Sequence, residues 1–176
     1  DVATSQLDNI WLPLSGAFTG TPVAGLKETV LLHSSKDSQL VDSMLANLSG
    51  QNIMKEFKPS GVSYDLAIRL SGKFKSAFPE GKPADKSDKD KKDSKAKEDK
   101  PAGASLKECQ AGTTVVLVGD SDLLYDPFTM RSIQSPFGTM LMPMNGNLNL
   151  AQNLIEQMTG DNNLIAVRSR SAQNRP

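Results

Sequence analysis

A glycine and two aspartates directly follow a short apolar segment in the second half of the chain. The segment, residues 115–118, is apolar throughout, and three of its four residues are β-branched. This composition predicts a strand that is buried on both faces, as the strands of parallel sheets are. Ligands of open α/β sheets bind at the carboxyl ends of such strands. We therefore predict a binding site at Asp120, Ser121 and Asp122, which follow Gly119; an ordinary polar loop is the alternative interpretation.

Small polar residues also follow a second predicted strand. Residues 29–33, Thr-Val-Leu-Leu-His, predict another strand of the buried type, and Ser34 and Ser35 come directly after it. Serines at such a position are typical of a turn or of a helix N-cap. Because we expect both strands in one sheet, we assign Ser34 and Ser35 to the same candidate binding site.

Ser121 allows a catalytic alternative. Gly-Asp-Ser after an apolar strand resembles the first block of GDS(L)-type esterases, in which the serine is the nucleophile and an Asp-x-x-His motif near the end of the domain supplies the base. The only histidine here is His33, about ninety residues before Ser121. A serine without a base is a poor nucleophile. We therefore predict no catalytic residue and no enzyme, and keep as the alternative an esterase in which His33 reaches Ser121.

The motifs for common cofactors are missing from the sequence. Asp120, Asp122 and Asp126 could supply oxygen ligands, but their spacing is not that of an EF-hand loop. Loop aspartates are more typical of local turn hydrogen bonds. The lone Cys109 and single histidine cannot form a zinc cluster. With neither GxxxxGK[ST] nor GxGxxG present, we expect no metal and no cofactor.

The composition restricts the classes of partner. The 176 residues suffice for one domain, and 20 basic residues balance 20 acidic ones. Such a balance creates no field of one sign that would attract nucleic acid. No stretch approaches the ~20 apolar residues of a membrane span. We therefore expect a single domain over residues 1–176 that binds no nucleic acid.

One segment interrupts this domain. Residues 79–104 contain almost no apolar side chain larger than alanine and are dominated by lysine, aspartate and glutamate. Such a composition cannot bury enough surface to offset the entropy of ordering. We predict a disordered charged insertion there.

Further elements surround the candidate site. Residues 10–14 and 65–72 predict strands, the latter with alternating Leu66, Ile68 and Leu70. Residues 132–146, uncharged and rich in methionine, predict a loop that packs over the core or offers a contact surface. A helix should run from an Asn147 N-cap to a Gly160 C-cap. Its predicted apolar stripe comprises Leu148, Ala151, Leu154, Ile155 and Met158.

The order of these elements predicts the fold class. Residues 163–168 read as a last strand, so that strand, loop, helix and strand follow one another as in a βαβ unit. We predict an α/β domain with a mostly parallel sheet of about four to six strands flanked by helices.

Several short motifs carry a family resemblance. In chain order they are Leu-Ser-Gly at 14–16, Leu-Ser-Gly-Lys-Phe-Lys-Ser-Ala-Phe at 70–78, Leu-Val-Gly-Asp-Ser-Asp-Leu-Leu at 117–124, an Asn-x-x-Leu-x-x-Asn-like stretch at 147–153, residues 155–170 with Met-Thr-Gly-Asp-Asn-Asn-Leu-Ile-Ala-Val, and the closing Arg-Pro. Their order and spacing resemble the extracytoplasmic domain of gliding-motility-type (Gld-like) auxiliary components of bacterial ABC transporters.

The resemblance implies a fold, a location and partners. It implies a Rossmann-like or flavodoxin-like body in the periplasm, flanked by membrane segments in the parent protein, beside an ABC permease and a separate ATPase. No catalytic residues follow from it. We expect the strand ends at Ser34, Ser35 and Asp120 to Asp122, together with residues 132–146, to form a contact face. That face would meet a small-molecule or polymer substrate, the permease or another subunit.

Overall fold

Two small antiparallel sheets and two helices make up the described part of the chain. The computed structural model describes residues 1–5, 7, 9–42, 55, 57–81 and 106–160. The elements are β1 (Leu26–His33), β2 (Asp65–Gly72), β3 (Thr113–Val118), the one-turn helix α1 (Asp126–Thr129), β4 (Met130–Ser135), β5 (Gly138–Pro143) and α2 (Asn147–Thr159).

The larger sheet has the order β1-β2-β3, and both of its strand pairs are antiparallel. The predicted α/β fold, with a Rossmann-like or flavodoxin-like parallel sheet flanked by helices, is therefore wrong. The apolar run in β3 does not mark a doubly buried strand, because Leu117 is exposed and Val115 and Val116 are only half-buried. The strands themselves were predictable: residues 65–72 are the bounds of β2, and residues 29–33 lie within β1.

The charged insertion connects β2 to β3. The Ser76 amide donates to the Lys107 carbonyl at 2.8 Å, and the Cys109 amide donates to the Phe74 carbonyl at 2.9 Å. These bonds hold the residues that flank the insertion side by side. The chain therefore turns back, and β3 becomes the antiparallel neighbour of β2, as in a hairpin. A parallel partner would need a crossover instead. Residues 82–105 lie outside the described part of the chain, and so does most of the predicted disorder at 79–104.

The core is small and lies between the larger sheet and α2. Its buried members are Ala3, Leu31, Ala67, Leu150 and Leu154. Leu31 and Ala67 come from neighbouring strands, and the two leucines at 150 and 154 come from α2, one turn apart. The helix therefore covers one face of the three-stranded sheet.

The buried face of α2 differs from the predicted stripe. Gly160 ends the helix in the left-handed conformation at φ 86°, as predicted. However, Ile155 and Met158 are exposed, whereas Asn147 and Asn153 are buried. The cost of burying both asparagines is offset because their side-chain amides donate to backbone carbonyls of the N-terminal segment.

Residues 132–146 are not a loop. Most of them belong to the β4–β5 hairpin, in which Ser135 pairs with Gly138 across a two-residue turn. Every residue of β5 is exposed, so this segment does not pack over the core.

Two further predictions concern strands at the ends of the chain. The strand predicted at residues 10–14 is wrong, because these residues form an irregular segment and a turn. The strand predicted at 163–168, which would complete the βαβ unit, lies outside the described residues. Within the described residues, no helix has the length and apolar character needed to cross a membrane.

Candidate functional site

The C-terminal ends of β1 and β3 lie on the same side of the larger sheet, where β2 begins. Each strand is antiparallel to β2, and the two therefore run in the same direction. Two strand spacings, or roughly 10 Å, separate them. Ser34 and Asp120 therefore each follow a strand that ends on the same side of the sheet, although the sheet is antiparallel.

A close backbone contact joins the segment after β3 to the N-terminal loop. The Gly16 amide donates to the Gly119 carbonyl at 2.7 Å, and the Gly119 amide donates to the Leu66 carbonyl at 2.8 Å. A Cβ atom on Gly119 would collide with the Gly16 carbonyl oxygen. Glycine is therefore required at position 119 by this approach of two backbones.

The same N-terminal loop carries an unusual conformation. Leu14 has φ 54°, in the left-handed region that L residues with a Cβ rarely adopt. Its side chain is exposed and borders the edge of the sheet where Asp120 lies. Backbone strain of this kind is held only where the surrounding contacts fix the chain.

Asn147, at the start of α2, supplies such contacts. Its side-chain amide donates to the Trp11 carbonyl at 2.7 Å and to the Leu123 carbonyl at 2.9 Å. Its Oδ1 accepts a hydrogen bond from the Trp11 amide at 2.9 Å. One fully buried side chain thus ties together the helix and the two segments that border the candidate site.

A cleft of about 560 Å³ lies between these two segments, and we call it the Asp120 cleft. Its size is within the range of ligand pockets. One wall is the loop after β3, another is the N-terminal loop, and residues 39–41 and α1 complete it. The lining residues are Pro13, Leu14, Ser15, Gly16, Gln39, Leu40, Val41, Gly119, Asp120, Ser121, Asp122 and Phe128.

Asp120 is the unusual residue of this cleft. It is 9% exposed, and its Oδ1 accepts the Asp122 amide at 2.7 Å. Its Oδ2 is buried and has no hydrogen-bond partner among the described residues. Burial raises the pKa of the Asp120 carboxyl; the hydrogen bond from the Asp122 amide opposes this shift, and the Asp122 carboxylate adds to it.

The structure separates the predicted site residues into two groups. Asp120, Ser121 and Asp122 line the cleft together. Ser34 and Ser35 do not line it; they belong to a turn in which the Ser34 hydroxyl accepts the Tyr64 amide at 2.9 Å and donates to the Ser35 carbonyl at 2.9 Å. The two serines therefore hold a turn at the sheet edge, and their role in binding stays a prediction.

The esterase alternative requires a base near Ser121. His33 instead uses Nδ1 for contacts with the Ser34 carbonyl at 2.9 Å and the Ser63 hydroxyl at 3.1 Å. Among the described residues, no hydrogen bond joins His33 to Ser121. These contacts give Ser121 no activating base.

A metal site in the same region would require several side chains that can bind a metal ion. Over the described ranges, no three His, Cys, Asp or Glu side chains lie close enough together to hold a metal ion. Asp122 is exposed, and the Asp120 carboxylate already uses one oxygen for the Asp122 amide.

Sequence reasoning missed the residues that build the cleft around its aspartates. Leu14, Ser15 and Gly16 stand more than a hundred positions before Asp120. Asn147 was predicted as the helix N-cap, which is wrong, because Gly146 is the N-cap and Asn147 is the first helical residue. A signal existed for the N-terminal loop, since Leu-Ser-Gly at 14–16 is one of the motifs that carry the family resemblance.

Comparison with known proteins gives one match. Residues 1–154 match a family described as an ABC-type uncharacterized transport system, the ABC-transporter auxiliary family. This range includes both sheets and every residue that lines the Asp120 cleft. Neither the curated proteins nor the solved structures give a match.

Proposed function

The chain belongs to the ABC-transporter auxiliary family, and from this premise we propose that it is a non-enzymatic accessory domain of a bacterial ABC transport system. It acts in the periplasm, on the extracytoplasmic face of the membrane, within a membrane-anchored parent protein of the gliding-motility type. Its partners are the permease and, through it, the separate ATPase. The observation that carries the proposal is the family match over residues 1–154.

A non-enzymatic role agrees with the contacts of the cleft. The only imidazole of the sequence bonds to Ser34 and Ser63, away from Ser121. The Asp120 cleft has instead the features of a binding site, because a few polar side chains lie beside apolar walls in a volume of about 560 Å³.

The β4–β5 hairpin is the surface that we assign to the permease. Phe137, in its turn, is 99% exposed, and Met140 and Met142, which share one face of β5, are also exposed. No charged residue occurs from 132 to 155. Exposed apolar side chains in a cluster mark protein interaction sites, and aromatic residues are enriched among those that dominate binding energy.

The hairpin and the cleft lie close together in the fold. Phe128 lines the cleft, and β4 begins two residues later. The Met144 amide, just after β5, donates to the Thr129 carbonyl at 2.8 Å. Helix α1 therefore connects the two surfaces, and a permease bound at the hairpin would lie beside the cleft.

Photocrosslinking in cells tests this assignment. A benzophenone amino acid at position 137 of the parent protein should form an adduct with the permease. The same amino acid at position 78 is the matched control and should form no adduct. Phe78 is also an exposed phenylalanine, and it follows the C-terminal end of β2. Adducts with the permease from position 78 alone, or from neither position, would contradict the hairpin contact.

Co-purification and protease access test the wider proposal. The tagged parent protein should bring down the permease and the ATPase after mild detergent extraction. The domain should be cleaved by added protease once the outer membrane is opened and protected while it is closed. Failure to recover either transport subunit, or cleavage only after lysis of the inner membrane, would overturn the proposed function.

A further inference from the structure

We propose that the β4–β5 hairpin enters an uncharged, apolar groove of the permease, which covers both faces of the hairpin and its turn. This inference deepens the proposed function and rests on it, since it takes the permease as the partner of the hairpin. A flat contact, in which the permease covers one face only, is the alternative that the experiments distinguish.

The pairing register of the hairpin assigns its side chains to two faces. Directly paired residues, and residues two positions apart on a strand, share a face of a sheet. Met140 pairs with Ile133, so these two residues and Met142 share one face, which we call the methionine face. Leu141 pairs with Ser132 and lies on the opposite face, which we call the Leu141 face. The hairpin therefore carries apolar side chains on both faces.

Within the described part of the chain, neither face of β5 is covered. Met140 on the methionine face is 54% exposed, and Leu141 on the opposite face is 67% exposed. Antiparallel sheets ordinarily pack one face on a core and present polar side chains on the other. A partner that covered one face alone would leave the large apolar side chains of the other face in water. The exposures therefore favour a partner that encloses both faces.

The turn of the hairpin can be desolvated at a small cost. Pro136 has no amide hydrogen, and the Phe137 amide donates to the Ser135 hydroxyl oxygen at 3.2 Å. The same hydroxyl donates to the Gly138 carbonyl at 2.8 Å. Because these groups bond within the turn, little polar desolvation opposes burial of the fully exposed Phe137 ring in an apolar site.

A polar pair beside the turn is satisfied in a similar way. The Thr139 hydroxyl donates to Gln134 Oε1 at 3.1 Å across the two strands. Both residues lie on the Leu141 face, because they pair in the same register, two positions from Leu141 and Ser132. Thr139 and Gln134 thus supply a hydrogen bond to each other and need fewer partners from the groove.

The charge of the hairpin sets the character of the groove and the depth of entry. No charged residue occurs from 132 to 155. A charged side chain in the wall of a groove around this segment would be buried without a partner, which is costly. We therefore expect an uncharged groove. Arg131, the exposed second residue of β4, marks the depth of entry, because its guanidinium stays in water.

The hairpin is attached to the rest of the fold at its base. The Met144 amide donates to the Thr129 carbonyl at 2.8 Å, and the Asn145 side-chain amide donates to the Phe128 carbonyl at 2.7 Å. The six residues of each strand extend about 20 Å. Two strands alone are only marginally stable in water. Enclosure in a groove stabilises both strands, whereas contact with one face leaves the other solvated.

Photocrosslinking at two adjacent positions tests the enclosure. Positions 140 and 141 are neighbours in the sequence but lie on opposite faces of the hairpin. A benzophenone amino acid at either position of the parent protein should form an adduct with the permease in cells. The matched control is Leu117, an exposed leucine on β3, and its position should form none. Adducts from only one of positions 140 and 141 would show a flat contact and overturn the groove.

Two aspartate substitutions test the same point by affinity. Met140→Asp and Leu141→Asp each place a charge inside the groove, and each should reduce the permease recovered with the tagged parent protein about tenfold or more. Val23→Asp, at an exposed valine outside the hairpin, should leave recovery unchanged. All three purified variants should melt as the wild type does, because the replaced side chains are exposed. Full recovery with either hairpin variant would contradict enclosure on both faces.

A lipid bilayer is another apolar environment for the turn, and a vesicle assay separates it from the groove. The purified 176-residue chain should not sediment with vesicles of phosphatidylethanolamine and phosphatidylglycerol. Sedimentation that Phe137→Ser abolishes would show that the turn enters lipid, and the groove would then be wrong.

Failure of this inference differs from failure of the proposed function. If position 137 and only one of positions 140 and 141 form adducts with the permease, the permease contact stands and the groove is wrong. If no hairpin position forms an adduct and the tagged parent protein recovers no transport subunit, the accessory role itself is wrong.

Discussion

Asn147 and Trp11 are joined by two reciprocal hydrogen bonds, although 136 positions separate them in the chain. The Trp11 amide donates to Asn147 Oδ1 at 2.9 Å, and Asn147 Nδ2 donates to the Trp11 carbonyl at 2.7 Å. The side chain thus replaces a strand partner for this irregular segment. It fixes the position of the N-terminal loop, which forms one wall of the Asp120 cleft.

Removal of this side chain should destabilise the fold. Asn147→Ala leaves the Trp11 amide and the carbonyls of Trp11 and Leu123 without their partner. We expect a loss of about 2 to 3 kcal/mol in the free energy of unfolding, measured by urea denaturation. Asn149→Ala, two positions along the same helix at an exposed site, is the control and should change stability by no more than about 0.5 kcal/mol. Equal effects of the two substitutions would contradict the role of Asn147.

Gly119→Ala tests the backbone contact at the floor of the cleft. The added methyl group collides with the Gly16 carbonyl oxygen, so the N-terminal loop must move. Overpacking of this kind should cost about 1 to 3 kcal/mol, seen as a lower melting temperature by circular dichroism. At Gly112 the added Cβ meets nothing closer than the Gly72 carbonyl oxygen at 4.0 Å. Gly112→Ala should therefore melt as the wild type does, and a Gly119→Ala protein that did the same would rule out the contact.

Two alanine substitutions on α2 distinguish the buried face from the predicted stripe. Leu150 is 1% exposed and lies in the core, whereas Ile155 is 63% exposed. Leu150→Ala should lower the free energy of unfolding by about 2 to 4 kcal/mol because it leaves a cavity. Ile155→Ala should change it by about 0.5 kcal/mol or less. The reverse order, measured by urea denaturation, would show that the helix packs through the stripe predicted from sequence.

The raised pKa of Asp120 makes stability depend on pH in a defined direction. Burial, the largest cause of the shift, disfavours the charged carboxylate in the folded state. The folded state therefore holds its proton to a higher pH than the unfolded state, and the free energy of unfolding falls as pH rises from the ordinary aspartate pKa through the raised value. Asp120→Asn removes this titration.

Urea denaturation at a series of pH values checks the sign. The stability of Asp120→Asn relative to the wild type should increase as pH rises through that window and then level off. Ser121→Ala changes a neighbour that does not titrate, and its stability should keep a constant difference from the wild type. A constant difference for Asp120→Asn as well would show that the carboxyl pKa is not raised.

Local pattern in the sequence predicts several elements because each depends on neighbouring residues alone. The alternating Leu66, Ile68 and Leu70 predict β2 with its observed bounds, and Gly160 predicts the left-handed end of α2. Strand-end chemistry also placed Asp120 and Asp122 in one candidate site, and both line the cleft. The family resemblance predicted a transport-system auxiliary component, and the match over residues 1–154 confirms that broader statement.

Strand direction could not be predicted in the same way. An apolar run such as β3 has the same composition beside a parallel or an antiparallel neighbour, and the long insertion before it left room for a crossover. The antiparallel pairing of β2 with β3, and the hydrogen bond between Ser76 and Lys107, show that the chain turns back on itself. The hairpin at residues 130–143 could not be predicted from periodicity either, because the apolar residues of β5 are consecutive and exposed and do not alternate with polar ones.

The sequence by itself determined where three strands and helix α2 lie, which aspartates and serine share a strand end, and the family to which the chain belongs. The tertiary structure alone decided the antiparallel order of the sheet, the burial of Asn147 and the unpaired oxygen of Asp120. The physical reason is the range of the interactions. Turn, cap and strand preferences act over a few residues, whereas burial and pairing depend on contacts such as those between Gly16 and Gly119, which are distant in sequence and are made only when the chain folds.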